Sequence, residues 1–130
     1  MKFDSTSKKR DETLKKIVIS EWKFFTNVNN LGKRAFCQDD SFTFIYSRLC
    51  YWSIYNDIIL TSYLNDLISA KKDNRNLITE KYAYMMQYTD PKYFNKIKNN
   101  LPYISKDKDI LVNSIMAIYL AWEEAIRKNN

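Results

Sequence analysis

The chain contains no histidine, one glycine (Gly32), two prolines (Pro91, Pro102) and two cysteines (Cys37, Cys50) in 130 residues. Without histidine there can be no Ser-His-Asp or Cys-His catalysis, no Cys/His zinc site and no haem ligated by histidine. A single glycine cannot supply a P-loop or a dinucleotide-binding turn, because both need several glycines where backbone must approach phosphate. The cysteines lack C-x-x-C spacing and no apolar leader is visible, so a reducing, cytoplasmic setting is expected. No run of about 18 apolar residues is present to span a bilayer.

What is present favours a folded domain. Hydrophobic residues make up 45% and aromatics 15% of the chain, enough apolar area to offset the entropy of ordering it. At this length one domain with a real core is expected, without metal or disulfide staples. The formal charge is +6. Half of that excess lies in the first sixteen residues, where Lys2, Lys8, Lys9, Arg10, Lys15 and Lys16 face Asp4, Asp11 and Glu12. Lys, Asn, Ile and Tyr are abundant, a bias that AT-rich coding alone can produce, so the basic balance is weak evidence for nucleic acid, which is not the expected partner.

A period of 3.6 runs through the chain and no alternating strand pattern interrupts it. The expected fold is all-α, a compact single-domain bundle of five to six helices over residues 11–130 behind a flexible basic tail, residues 1–10. Helix 1, from about Asp11 to Asn29, carries the stripe Leu14, Ile17, Val18, Phe24, Phe25 and Val28, with Gly32 as its left-handed cap. Asp39 or Asp40 caps a helix over about 40–52 that buries Phe44, Ile45, Leu49 and Trp52. Ser53 restarts the chain for a helix over about 54–72, with Leu60, Leu64, Leu67 and Ile68 inward. Asn76 caps the fourth, about 77–88, with the stripe Leu77, Lys81, Tyr84, Met85 and Tyr88. Asp90-Pro91 opens a short fifth helix to about Asn99. Ser105 caps the last, about 106–128, a scaffold element with the stripe Leu111, Ile115, Ile118, Trp122 and Ile126.

Three charges interrupt these apolar stripes: Glu21, Arg48 and Lys81. Asn30, Arg34, Cys37, Gln38, Asp39, Asp40 and Glu80 lie near them in sequence. A stripe position leaves Glu21 no route to bulk water, so it is expected to be buried within reach of Arg48 or Arg34. One reading is a buried charge network that only fixes helix register. Another is a polar pocket at the junction of helices 1, 2 and 4, with Arg34, Gln38, Asp39 and Arg48 directed at a small anionic ligand or at another protein. A third is a small histidine-free enzyme using Glu21, Cys37, Asp39 and Arg48, Cys37 standing just ahead of a helix N-terminus that lowers a thiol pKa. Glu21, Asp39, Asp40 and Glu80 are hard-metal donors in principle, but bundle di-metal sites pair carboxylates with Glu-x-x-His, so no metal or other cofactor is expected. The tyrosines and tryptophans, at helical spacing, read as packing rather than as a base-stacking surface. The oligomeric state is left open.

The run Asn27-Val28-x-Asn30-x-Gly32-x-Arg34-Ala35-x-Cys37-Gln38-Asp39-Asp40-x-x-Thr43-Phe44-x-x-x-Arg48, preceded by Glu21-Trp22, resembles a family of short bacterial proteins known as domain of unknown function 4125. A second block, Asn76-Leu77-Ile78-Thr79-Glu80-Lys81-Tyr82-Ala83-x-Met85-Met86 with the later Leu101-Pro102, is similar to the same family. The resemblance covers most of the chain beyond the basic tail. It implies no known activity, and it marks the residues to watch.

Overall fold

Helix start and stop signals decide the order of elements, and the computed structural model, which describes residues 5–29 and 32–129, follows most of them. Among the described residues there are six α-helices and no strand: α1 (Ser5–Thr26), α2 (Ser41–Ser53), α3 (Asp57–Lys72), α4 (Leu77–Thr89), α5 (Pro91–Ile97) and α6 (Lys106–Lys128). Short 3-10 turns cover Phe36–Asp39 and Lys98–Asn100. The chain divides into two units, Met1–Lys98 and Asn99–Asn130.

In the first unit α1 lies against α2, α3 and α4, and α4 against α5. Leu14, Ile17 and Val18 of α1 form the buried core with Trp52 of α2 and with Leu60 and Leu67 of α3. Phe24, Ile45, Leu49, Tyr55, Tyr63, Leu64 and Leu77 pack half-buried around them. Each large apolar side chain fully buried there contributes about 1.5–3 kcal/mol. Ile68 is 57% exposed, so the inward face of α3 is narrower than its spacing suggests. The inward face of α4 is also rotated from the expected stripe. Ala83 is buried, while Met85 and Tyr88 are exposed.

Capping side chains explain where the helices begin. Asp40 accepts from the Thr43 N–H at 3.0 Å, Asn56 from Ile59 at 3.0 Å, Asp90 from Tyr93 at 3.0 Å and Ser105 Oγ from Lys108 at 3.3 Å, each relieving one orphan donor of a first turn. The Thr43 hydrogen bonds hold the Asp40 carboxyl below the usual carboxylate range. Contrary to expectation, Ser53 does not cap α3; its hydroxyl donates back to the Cys50 carbonyl at 2.8 Å, and the break falls at 54–56. Arg10 secures that break, donating to the carbonyls of Ser53 and Tyr55 and pairing with Asp57.

Helix α1 starts at Ser5, six residues upstream of the expected Asp11, and ends at Thr26 rather than near Asn29. Side chains converge on the carbonyls around that end. Asn76 Nδ2 donates to Phe24 O at 2.7 Å, Gln38 Nε2 to Phe25 O at 2.9 Å and Val28 O at 3.0 Å, and Arg34 Nη1 to Thr26 O at 2.9 Å. Phe24 O and Phe25 O also accept from the Asn27 and Val28 N–H groups at 3.2 Å, so the side chains add second partners there, and the arginine charge complements the negative dipole end. Gly32 therefore does not cap α1. Its φ of +147° puts it in a region that favours glycine, out in the connection. The left-handed cap that sequence assigned to Gly32 is found instead at Asn74, φ 54°, after α3, where Arg75 N–H reaches back to Ala70 O at 2.8 Å.

In the second unit, α6 has the expected stripe, but Leu111, Ile115, Ile118, Trp122 and Ile126 are each exposed, and among the described residues of that unit there is no second long helix to cover them. Removing the cap of α1 should be costly: Gln38→Leu withdraws the side-chain donor from Val28 O and from Phe25 O, which keeps only its 3.2 Å bond from the Val28 N–H, and urea unfolding should show a loss of about 1–3 kcal/mol. A variant as stable as the parent would mean that water satisfies those carbonyls and the cap is incidental.

Candidate functional site

Glu21 is 2% exposed, the one buried carboxylate among the described residues. It sits midway along the core-facing stripe of α1, opposite α2 and α3. Arg48 of α2 donates from Nε to Oε2 and from Nη2 to Oε1, both at 2.8 Å, in a side-on fork. Trp52, one turn later, donates its indole N–H to Oε1 at 3.1 Å. Tyr63 of α3 donates its hydroxyl to Oε1 at 2.8 Å. One carboxylate thus accepts four hydrogen bonds from two neighbouring helices, which is what stabilises a charge so far from water.

The surroundings reinforce this geometry. Trp52 and Tyr63 stack with ring centroids 4.2 Å apart, and the Arg48 guanidinium lies 4.5 Å from the Tyr51 ring centroid and 5.5 Å from that of Trp52. Its hydrogen bond to Glu21 raises the Arg48 pKa against the opposing effect of burial. Burial, followed by the Glu21 charge, pushes the Tyr63 phenol far above its ordinary value. Tyr63 is therefore a neutral donor throughout the physiological range.

Arg48 also faces a cavity of about 360 Å³ lined by Glu21, Phe44, Arg48, Tyr51, Trp52, Tyr63, Leu77, Ile78, Lys81 and Tyr82. Its side chain is 26% exposed, and Nη1 has no hydrogen-bond partner among the described residues. Lys81, exposed on α4, makes no ion pair among them either. Helices α1, α2, α3 and α4 all contribute to this cavity. Glu21, Arg48 and Lys81, the three charges that break apolar stripes, share it.

The remaining candidates lie elsewhere. Arg34 pairs with Asp39 at 2.8 Å and donates from Nη2 to the Gln38 carbonyl, so both belong to the cap of α1 and not to the cavity. Gln38 is 2% exposed and spans from the Ala35 N–H to the end of α1. Asp40 is the cap of α2, and Glu80 is held in a two-bond fork by Arg75 at 2.8 and 2.7 Å. Cys37 is exposed and lines a neighbouring cavity of about 420 Å³, largely apolar, whose lining includes neither Glu21 nor Arg48. The expected gathering of Arg34, Gln38 and Asp39 with Arg48, and of Cys37 with Glu21, is thus replaced by two separate stations, because the end of α1 claims the first group. Asn30 lies outside the described residues.

Tyr63 was missed in the sequence, although a signal exists: it stands three residues after Leu60 and four before Leu67, on the inward face of α3. Tyr51 and Tyr82 carry no such signal. Among the described residues no group of three or more Asp, Glu or Cys side chains is placed to hold a metal ion, and no helix is long and apolar enough to cross a membrane.

The fold and the cavity define an all-helical protein in which a buried carboxylate orients an arginine toward solvent. The chain belongs to the family described as Protein of unknown function (DUF4125), whose model matches residues 11–130. No curated protein and no solved structure matches it.

Two measurements probe this arrangement. Arg48→Met should lower stability by about 3 kcal/mol, the low end for a broken buried pair because Arg48 keeps a path to water; a change under about 1 kcal/mol would mean the pair behaves as a solvated one. The Tyr63 phenol, its pKa raised on folding, contributes stability that is fully present below the unfolded value near pH 10 and declines above it, by up to about 1.4 kcal/mol per pH unit. Urea unfolding between pH 9 and 11 should therefore show a shallower alkaline decline in Tyr63→Phe than in the parent. Parallel declines would place Tyr63 in solvent.

Proposed function

We propose that the cavity at Glu21, Arg48 and Lys81 binds a small anionic molecule, in a bacterial protein of the cytoplasm that acts as a binding module. The observation that carries this reading is the half-used guanidinium: Arg48 spends one edge on Glu21 and lines an accessible cavity with Nη1 unpartnered among the described residues. A buried charge network serving only the fold could be replaced by packed apolar residues at little loss. It would have no need of an opening or of a second cation. With Glu21, Arg48 and Lys81 all charged, the cavity carries one net positive charge. Phe44, Leu77 and Ile78 supply apolar wall, the usual composition of a small-ligand site with a few convergent polar groups. Thiol chemistry draws no support from the lining, since Cys37 faces the neighbouring cavity.

Thermal unfolding at constant ionic strength across a panel of carboxylates, phosphates and sulfate tests the proposal. A ligand at a hundred times its Kd should add about 2.7 kcal/mol of stability. The ligand-induced shift, as distinct from the melting temperature itself, should shrink in Arg48→Lys, because lysine has no planar fork. It should also shrink in Lys81→Met. Shifts of equal size in the parent and both variants would refute an arginine-centred anion site.

A further inference from the structure

Resting on that anion-binding reading, we infer that the ligand is a monoanionic aromatic carboxylate. The guanidinium has two donor edges with parallel N–H pairs. Glu21 occupies the side edge, Nε with Nη2, at 2.8 Å on each bond. The end edge is left, formed by Nη1 and the second N–H of Nη2, and its two parallel donors match the two oxygens of a carboxylate. Tyr51 under the guanidinium plane, 4.5 Å away, fixes the direction of that edge.

Charge then selects among anions. Arg48 is already half committed to the Glu21 carboxylate, and Lys81 is the only other charged residue lining the cavity. A single negative charge is balanced by this set. A dianion such as a phosphate monoester would leave excess negative charge beside a carboxylate that is 2% exposed, where repulsion is poorly screened. Lysine, a compact cation on a flexible stem, adds attraction without demanding a geometry.

The walls select the body of the ligand. Five of the ten lining residues are aromatic, with Leu77 and Ile78 beside them. Flat rings are favoured between such surfaces through offset or edge-to-face contacts that aliphatic chains cannot make. A cavity of about 360 Å³ is near the small end of ligand sites, which suits a single ring system with a short acid arm and not a nucleotide.

Calorimetric titration of the full chain at pH 7.5 separates the two levels of the inference, with four probes: phenylacetate, acetate, benzyl alcohol and phenyl phosphate. Phenylacetate should bind at least about tenfold tighter than each of the others, and Arg48→Lys should weaken it about tenfold while leaving benzyl alcohol unaffected. Should Arg48→Lys fail to fold, Lys81→Met, at an exposed position, should still weaken phenylacetate about threefold without altering benzyl alcohol. Acetate or phenyl phosphate binding as tightly as phenylacetate would overturn the aromatic monoanion and leave the anion site standing. Benzyl alcohol binding as tightly as phenylacetate, or no binding by any anion, would overturn both.

Discussion

One buried carboxylate, 2% exposed, sets how α1, α2 and α3 of the first unit meet. Glu21 stands where the stripe of α1 calls for a leucine, and burying it alone would cost several kcal/mol. Arg48, Trp52 and Tyr63 remove that penalty together, and in doing so they fix the rotation and register of α2 and α3 against α1. Apolar side chains tolerate sliding and repacking, whereas four directed hydrogen bonds to two oxygens do not. The core of Ile17, Leu60 and Leu67 supplies most of the free energy, and Glu21 supplies its uniqueness.

The end of α1 also draws on directed side-chain hydrogen bonds from distant parts of the chain. Its last carbonyls are answered by Asn76, Gln38 and Arg34, from parts of the chain 8 to 52 positions away in sequence. Asn76 serves two helices at once, capping the start of α4 through Oδ1 and the end of α1 through Nδ2. This double use couples the position of α4, and with it Lys81 and Tyr82, to the end of α1. The wall of the cavity on the α4 side is thereby set by a hydrogen bond made elsewhere.

Local signals in the sequence were enough for much of the fold: Asp40, Asn76, Asp90 and Ser105 are helix caps whose chemistry needs only a few neighbouring residues, and the starts of α2, α4, α5 and α6 followed from them. Glu21 and Arg48 were legible for a similar reason, since a charge in an apolar stripe has few places to go. What failed depended on distance. Gln38 and Arg34, with Asp39 held by Arg34, have the residue types of a ligand site, yet they reach a helix end 8 to 13 residues away, and nothing local distinguishes the two uses. Gly32 had a suitable residue type for a cap, but α1 ends at Thr26, six residues before it. Asn74 took the left-handed conformation at the end of α3, where the Arg75 N–H closes back onto Ala70 O. Tyr51 and Tyr82 enter the cavity from exposed faces, where periodicity carries no information.

The central claim is that Glu21 holds Arg48 by one edge and offers the other to a ligand. Side-chain N–H exchange, followed by nitrogen-15 NMR, addresses it directly. In the parent protein the Arg48 Nε–H and the Trp52 indole N–H should exchange far more slowly than the exposed Trp122 indole, and addition of a binding anion should move the Arg48 Nη1 signals while leaving Nε–H in place. Rapid exchange at Arg48 Nε–H and Trp52 Nε1–H, at rates like that of Trp122, would contradict the account.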